Sequence, residues 1–436
     1  MDTSTAHKFC VLGAGTSGLA VAKNFLQAGI PFDCLEREDD IGGNWYFGKP
    51  ASSIYASTHL ISSKRLTEYT DFPMPEDYPE FPSHELVLAY LRDYARTFGL
   101  CDHIQFNTSI VAVEPCDDGW QVKLERGEER LYRGVVIANG HNWHRRMPEY
   151  PGEFSGEVLH SSEYKVSDAM RGKCVLVVGG GNSGFDLAVE AAIHADAASL
   201  SLRRGYHVLP KFFKGKPIDQ CGETVHAWCL PLWMRRLAAK LVVRWVLGPP
   251  QQSGLPKPDH RLFESHPIIN SQLHHHVGHG DLTVRPDISE LTGETVRFID
   301  GTSAQFDLII FATGFRLSFP FIDTKHLNWQ VNRPELFLNM FHPQRDDLFC
   351  VGMIQPDSGQ WGLVDYQAQL IASYLRALES PSQDRLRRAK WFARLKQSPN
   401  DDLKQGIRYI DSPRHLLEVE HFGYRRRLQK LIAKLA

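Results

Sequence analysis

Two segments of this sequence repeat one pattern: a short apolar run, a glycine-rich turn, a helical stretch and a second apolar run. The first, "KFCVLGAGTSGLAVAKNFLQAGIPFDCLERED", covers residues 8–39, and the second, "GKCVLVVGGGNSGFDLAVEAAIHADAASLSLRRG", covers residues 172–205. Short apolar strands joined through a helix are typical of a parallel sheet covered on both faces. A chain of 436 residues is also too long for one core. We therefore predict an α/β protein with two Rossmann-like dinucleotide-binding domains.

The first glycine turn has the spacing G-x-G-x-x-G. In such turns the first glycine permits the bend, the second lets a pyrophosphate approach the backbone, and the third allows helix and strand to pack closely. Glu36 ends the next apolar run, where a carboxylate can accept a hydrogen bond from a ribose hydroxyl. A second glycine pair beside an aromatic residue, in "IGGNWYFG", favours FAD over NAD. The predicted FAD contacts in this region are Gly13, Gly15, Thr16, Ser17, Gly18, Glu36, Gly43 and Trp45.

The second glycine turn repeats this spacing but ends differently. Its following apolar run, "SLSL", leads into Arg203 and Arg204, where the first segment has Glu36. An acid at this place would repel a 2′-phosphate, whereas a guanidinium can bind it through two hydrogen bonds. The alternative is a solvated pair of arginines at a strand end. We predict an NADPH site here, with contacts from Gly179, Gly181, Asn182, Ser183, Gly184, Arg203 and Arg204.

The stretch between the two segments, "FSGEVLHSSEYK", carries a further motif. It matches the fingerprint F-x-G-x-x-x-H-x-x-x-Y/F of the flavin-containing monooxygenase family, with Phe154, Gly156, His160 and Tyr164 in register. "IIFATGF" (residues 309–315) and residues 340–375 also resemble segments of that family, and the resemblance spans about residues 7–375. From these two segments we add Thr313 to the NADPH contacts and Gln355 to the FAD contacts.

The resemblance implies an NADPH-dependent flavoprotein monooxygenase that uses a C4a-(hydro)peroxyflavin. Tyr164 at the last fingerprint position favours oxygenation of a nucleophilic nitrogen or sulfur in a small organic substrate, because Baeyer–Villiger enzymes usually carry Trp there. Baeyer–Villiger oxygenation of a ketone is the alternative, as is an uncoupled NADPH oxidase or a flavoprotein that oxygenates nothing. The implied cofactors are FAD and NADPH, and the partners are the substrate and O₂.

One position departs from the family pattern. Heteroatom oxygenases of the family usually carry an Asn near the flavin, and Ile61 stands in its place. An isoleucine side chain cannot hydrogen-bond, so the residue that assists the flavin chemistry is not identified. His59, Ser62 and Lys64 are weak candidates, and some related enzymes also lack the Asn.

The fingerprint lies where the chain passes between the two predicted domains. We predict that it fixes the geometry of that crossing, and that His160 acts through hydrogen bonds rather than as an acid or base. In this interpretation the NADPH domain is inserted into the FAD domain. The predicted boundaries are 1–165 for the first part of the FAD domain, 166–306 for the NADPH domain and 307–436 for the second part of the FAD domain.

Composition and charge exclude several other classes. A net charge of −2 gives no reason to expect a nucleic-acid partner. The eight cysteines include no C-x-x-C pair, which argues against a zinc finger or a disulfide framework and fits a reducing cytoplasm. Four histidines between residues 274 and 279 place His275 and His279 on one helix face, but no acid or cysteine completes a set, so we predict no metal site.

The least usual stretch is "VHAWCLPLWMRRLAAKLVVRWVLG", residues 225–248. Four basic residues and a proline interrupt it, so we predict no transmembrane helix. The preferred interpretation is a helix that covers a pocket or a neighbouring domain, and the alternative is peripheral contact with a membrane. The N-terminus does not resemble a signal peptide. We expect a cytoplasmic protein, for which a homodimer is a plausible state.

Overall fold

The first sheet contains the strand, turn and helix of the first repeat. The computed structural model describes residues 2–227, 230–249, 254–398 and 402–436. Five parallel strands lie in the order Leu348–Cys350, Gly134–Ile137, Phe9–Leu12, Phe32–Leu35 and Ile104–Gln105. All four residues of the central strand Phe9–Leu12 are buried, as an apolar run covered on both faces requires. The predicted first Rossmann-like unit is thus confirmed.

The second sheet repeats this architecture. Its five parallel strands lie in the order Leu282–Arg285, Ala197–Ser201, Cys174–Val178, Leu308–Phe311 and Glu157–His160. The chain enters this sheet from the first one after Ile137 and returns to the first one at Leu348. The second unit is therefore inserted into the first, which confirms the predicted fold class.

Strand pairing moves the limits of the inserted unit away from the predicted ones. A third of the fingerprint stretch, Glu157–His160, forms the edge strand of the second sheet and pairs with Leu308–Phe311. The predicted boundaries at 165/166 and 306/307 would leave both strands in the FAD domain. A strand belongs to the unit whose sheet it hydrogen-bonds, so we infer that the inserted unit extends from about residue 150 to about residue 312.

Ten α-helices surround the sheets in the described residues. They are α1 Thr16–Ala28, α2 Lys64–Thr67, α3 His84–Thr97, α4 Asn182–His194, α5 Ile218–Ala227, α6 Leu232–Val246, α7 Leu273–His279, α8 Trp361–Leu378, α9 Gln383–Leu395 and α10 His421–Leu435. The helices α1 and α4 follow the two glycine turns. The apolar face of α10 is buried against α8 and α9, so this basic helix is docked on the first unit.

Shorter strands form small sheets beside the two main ones. Three antiparallel strands, Ile110–Cys116, Gly119–Leu124 and Glu129–Tyr132, extend the first unit. Four others, in the order Ser303–Gln305, Thr295–Phe298, Ile288–Gly293 and Gly152–Phe154, extend the second. The remaining pairs of short strands are Val208–Leu209 with Ile268–Ile269, Phe212–Phe213 with Lys216–Pro217, Trp329–Gln330 with Arg333–Pro334, and Gln355–Pro356 with Glu418–Val419.

The two chain crossings between the units lie side by side. Arg146 N donates to Gly314 O at 3.0 Å, and Arg316 N donates to His144 O at 2.8 Å. The Thr313 hydroxyl adds a hydrogen bond to Arg146 O. We call residues 144–146 and 314–316 the paired linkers. Because the two linkers are hydrogen-bonded to each other, they connect the two units as one pair of linked segments and not as two independent linkers.

The helix α6 exposes one row of large apolar side chains, while Ala239 and Val243 pack inward against Leu209, Leu262 and Ile269. Trp233 is 65% exposed and Trp245 is 81% exposed, with Leu237 and Leu241 between them on the same face. The inner face carries Arg235 and Arg236, which lie near Glu420 and Glu264. Part of the stretch singled out in the sequence, residues 228–229, lies outside the described residues. Within the described ranges, no helix is both long and apolar enough to cross a bilayer.

Candidate active site

The first glycine turn leaves space above its backbone. A Cβ on Gly18 would lie 1.8 Å from Gly13 O, so close packing of helix and strand requires that glycine. Gly15 differs, because its φ is −74° and a Cβ there would meet only Gly43 of the residues that the structure describes, at an ordinary 3.5 Å. Neither conformation nor packing within the protein requires a glycine at Gly15. The free space suits a pyrophosphate lying on the backbone at the start of α1.

Glu36 lies beside this turn, at the end of strand Phe32–Leu35. Its carboxylate accepts hydrogen bonds from Ala14 N at 2.6 Å and from Glu38 N at 3.0 Å. Burial raises the pKa of Glu36, and the two backbone donors oppose that shift. The backbone thus holds the carboxylate in one orientation beside the glycine turn, as recognition of a ribose hydroxyl requires.

The other predicted FAD contacts, apart from Gln355, lie at or near the same turn. Gly43 packs against Gly15, and Trp45 packs edge-on against Trp361 with ring centroids 6.0 Å apart. Ser17 is buried beside Gly352, where a Cβ would lie 2.1 Å from the Ser17 hydroxyl oxygen. The remaining two positions form backbone contacts: Thr16 O accepts from the Tyr69 hydroxyl at 2.7 Å, and Gln355 N donates to Leu417 O at 2.7 Å.

The second glycine turn has the same construction. A Cβ on Gly184 would lie 2.2 Å from Gly179 O, whereas one on Gly181 would meet, among the described residues, only the Arg414 guanidinium, at 3.9 Å. Gly181 has a φ of −99°, so a side chain is excluded there neither by conformation nor by packing. The Asn182 side chain is occupied by the protein, since it donates to Pro267 O and accepts from Ile269 N. Ser183 next to it is exposed.

The predicted arginines occupy different surroundings. Arg204 Nε lies 3.7 Å from the Asp259 carboxylate, whereas Arg203 is exposed and lies near a group of cations. Burial is the main cause that lowers the pKa of Arg146, and the positive charges of Arg316 and Arg203 lower it further. Such a concentration of positive charge favours binding of a phosphate group. The paired linkers therefore supply two cations, Arg146 and Arg316, that the sequence analysis missed. Basic residues in both linkers were the only signal.

The fingerprint residues contact protein segments from both units. His160 is buried, its Nε2 donates to Gly314 O at 3.1 Å, and its ring packs edge-on against Phe315. Burial lowers the pKa of His160, which favours the neutral ring. Gly156 leaves room for the Phe154 ring, and a Cβ on it would lie 2.7 Å from that ring. Tyr164 packs against Tyr55 of the first unit, with ring centroids 5.8 Å apart.

These contacts lead to a prediction for His160. His160→Ala should retain both cofactors but lower the rate of flavin reduction, or raise the peroxide formed per NADPH, by about 3- to 10-fold, because one buried hydrogen bond to the linker is lost. His160→Gln keeps an N–H donor at the place of Nε2 and should restore most of the coupling. A general acid or base would instead cost roughly 10²- to 10⁴-fold, remove one limb of the pH profile and gain nothing from Gln. Stopped-flow reduction and peroxide assays distinguish the two.

The weak candidates near Ile61 hold structural positions. Lys64 Nζ donates to three backbone carbonyls, those of Pro75, Glu76 and Tyr78, at 2.6–3.0 Å. This use of all three ammonium protons leaves Lys64 no donor for oxygen or substrate. The Ser62 hydroxyl is 2.8 Å from the Thr67 hydroxyl, and His59 Nδ1 donates to Ser57 O. Ile61 itself is exposed.

A comparison with known families identifies the chain. The model of the family described as flavin-binding monooxygenase-like matches residues 6–398. The chain belongs to this family. It is an FAD- and NADPH-dependent flavin-binding monooxygenase, as the two glycine turns and the fingerprint predicted.

Curated relatives of this flavin-binding monooxygenase cover most of its length. The rabbit (Oryctolagus cuniculus) flavin-containing monooxygenase 5 is 31% identical over 442 aligned positions, which cover 95% of the chain and 80% of the relative. The macaque (Macaca mulatta) dimethylaniline monooxygenase [N-oxide-forming] 2 is 32% identical over 400 aligned positions, 86% of the chain and 74% of the relative.

Solved structures share the fold of the flavin-binding monooxygenase. S-allyl-L-cysteine S-oxygenase from Allium sativum superposes with a TM-score of 0.67 at 21% identity, covering 98% of this chain and 88% of that one. The open structure of cyclohexanone monooxygenase superposes with a TM-score of 0.69 at 18% identity, covering 98% of this chain and 97% of that one. At these identities the structures establish the two-unit fold.

Proposed function

We propose that this monooxygenase transfers one oxygen atom of O₂ to a nucleophilic nitrogen or sulfur of a small organic substrate. The observation that carries the proposal is Tyr164, which stands at the fingerprint position where Baeyer–Villiger enzymes usually carry Trp. Tyr164 is buried and packs against Tyr55, and Tyr55 precedes Ile61 by six residues. The macaque relative, named as N-oxide-forming, supports the same chemistry, since it is more similar in sequence than cyclohexanone monooxygenase.

The bound flavin supplies the redox chemistry between NADPH and O₂. The chain's own part is to hold the two nucleotides and to keep water away. The segment 52–57 of the first unit closes against the second unit: Lys165 Nζ donates to Ser52 O and Ile54 O, and the Ser57 hydroxyl donates to Glu190. These contacts support a role for the segment in excluding water from the space between the units.

The test is the amount of product formed per NADPH consumed. A tertiary amine, a thioether and a ketone should be compared under the same conditions, with peroxide measured in parallel. We expect N-oxide or sulfoxide to account for most of the NADPH with at least one amine or thioether. An ester formed from the ketone as the main product would instead establish Baeyer–Villiger chemistry.

Ile61 favours one second candidate, an uncoupled NADPH oxidase. The exposed Ile61 side chain cannot form a hydrogen bond, and the three N–H donors of Lys64 are already bound to backbone carbonyls. This candidate predicts peroxide equal to the NADPH consumed with every substrate. The variant Ile61→Asn restores the amide expected from the family and should then lower the peroxide yield. A wild-type enzyme that is already well coupled would eliminate the oxidase.

We also propose that the outer face of α6 contacts a membrane surface. Exposed Lys240 and Arg244 accompany the two tryptophans on this side, and α6 contains no acidic residue. Tryptophans next to basic residues are typical of helices that lie in the headgroup region of anionic membranes. The apolar outer face is open to solvent. On the opposite face Ala239 and Val243 pack against Leu209, Leu262 and Ile269, so the preferred interpretation of the sequence, a helix that covers a pocket or a neighbouring domain, stays a prediction for that face.

Vesicle sedimentation tests this contact. The protein should sediment with vesicles of phosphatidylcholine and phosphatidylserine, and the double variant Trp233→Ser, Trp245→Ser should bind them at least about 10-fold more weakly, because two large aromatic side chains are lost. Ile299→Ser is the matched control, since Ile299 is 66% exposed and lies outside α6. Size-exclusion chromatography completes the test: a dimer that the double variant abolishes would assign the face to a second copy of the chain instead.

A further inference from the structure

A segment near the end of the chain connects the flavin unit with the second glycine turn. We call residues 409–419 the C-terminal strap. Its last part is tied to the first unit, because Glu418–Val419 pairs with Gln355–Pro356, and Gln355 N donates to Leu417 O at 2.7 Å. Arg333 Nη1 adds a hydrogen bond to Leu416 O at 2.6 Å. The position of the strap is thus set by the same strand that holds the predicted FAD contact Gln355.

From this anchored segment Arg414 extends into the second glycine turn. Its Nη1 donates to Gly180 O at 3.1 Å. Both terminal nitrogens lie 3.9 Å from the place that a Cβ on Gly181 would take. Gly181 is the glycine over which a pyrophosphate passes in folds of this kind, and the structure gives no internal reason for a glycine there. The guanidinium therefore lies over the place of the pyrophosphate.

Within the described parts of the chain, most N–H donors of Arg414 are free for a ligand. A guanidinium has five N–H donors, and Gly180 O uses one of them. Burial is the main influence on the pKa of Arg414 and lowers it; Tyr206 and then Glu418 oppose this shift. The Glu418 carboxylate is already bound to His266 Nδ1 at 3.0 Å. A partly buried arginine that forms no ion pair with Glu418, which is bound to His266, is well suited to an anion with two charges.

We propose that Arg414 binds the pyrophosphate of NADPH, so that the C-terminal strap of the flavin unit completes the nucleotide site of the inserted unit. The proposal rests on the assignment of the second glycine turn to NADPH. The arginines then have different roles. Arg414 recognises the pyrophosphate common to NADPH and NADH. Arg203 and the linker arginines face the 2′-phosphate, which only NADPH carries.

Two fragments of the cofactor separate these roles in calorimetric titrations of the FAD-loaded protein. ADP-ribose has the pyrophosphate and lacks the 2′-phosphate, and adenosine 2′-monophosphate has the reverse. Arg414→Ala should weaken NADP⁺ and ADP-ribose by about 10- to 100-fold and leave adenosine 2′-monophosphate unchanged, because charge-assisted hydrogen bonds to the pyrophosphate are lost. Arg203→Ala should weaken NADP⁺ and adenosine 2′-monophosphate and leave ADP-ribose unchanged. Arg408→Ala is the control, an exposed arginine beside the strap.

Folding is controlled by a second variant. Arg414→Gln keeps an N–H donor for Gly180 O without the charge, and its FAD content and melting temperature should match those of the wild type. Wild-type affinity of this variant for ADP-ribose would overturn the proposal, and so would an equal loss for both fragments. If the wild-type protein binds FAD but neither NADP⁺ nor adenosine 2′-monophosphate, the assignment of the second turn to NADPH is wrong.

Discussion

Gly181→Val should give a yellow protein that no longer binds NADPH, with a loss in affinity of more than about 100-fold. The structure has room for the new side chain as long as no nucleotide is bound, since in the described part of the chain a Cβ there meets only Arg414, at 3.9 Å. The valine would then occupy the place of the pyrophosphate. Gly15→Val should act in the same way on the first turn and give a colourless protein.

The flavin absorbance of the purified protein and its titration with NADP⁺ check both variants. Gly278→Val is a matched control, because Gly278 is exposed and a Cβ on it would meet no atom of a neighbouring element within 4 Å. It should retain both cofactors. Loss of FAD from Gly181→Val with retained NADPH affinity would show that the two nucleotide assignments have been exchanged.

Arg203→Ala should lower the preference for NADPH over NADH by about 10- to 100-fold. The side chain lies near the cations of the paired linkers, where the 2′-phosphate is expected, and a charge-assisted hydrogen bond to that phosphate is lost. Arg204→Ala should change the preference much less, because Arg204 lies beside Asp259. Steady-state kcat/KM for the two nucleotides measures the ratio. An unchanged preference in the double variant Arg203→Ala, Arg204→Ala would contradict the assignment of this strand end to the 2′-phosphate.

The parts of the site that could be predicted from the sequence are those that depend on neighbouring residues. Strand Phe9–Leu12 and the helices after both glycine turns follow from local apolar runs and from glycine spacing, and the structure contains them. The family resemblance added the flavin chemistry. These features are encoded within about 30 residues of chain each, so a pattern in the sequence is enough to find them.

The missing parts depend on residues that are distant in the sequence. Arg414 reaches a turn 234 residues earlier, and the linker arginines meet Arg203 only because the two crossings pair. The limits that we infer for the inserted unit differ from the predicted boundaries for the same reason, since the edge strand Glu157–His160 is recognised by its pairing with Leu308–Phe311. Lys64 looked available in the sequence because no local pattern shows that three carbonyls surround its amine.

The insertion also sets an order in which the molecule can fold. Strands Gly134–Ile137 and Leu348–Cys350 are neighbours in the first sheet, yet about 210 residues separate them in the sequence. Contacts of such high sequence separation form late, because the intervening chain must first become compact. On a ribosome the inserted unit is complete before the last strand of the host sheet has been made. We therefore expect that the inserted unit folds first and that its compaction brings the two halves of the first unit together.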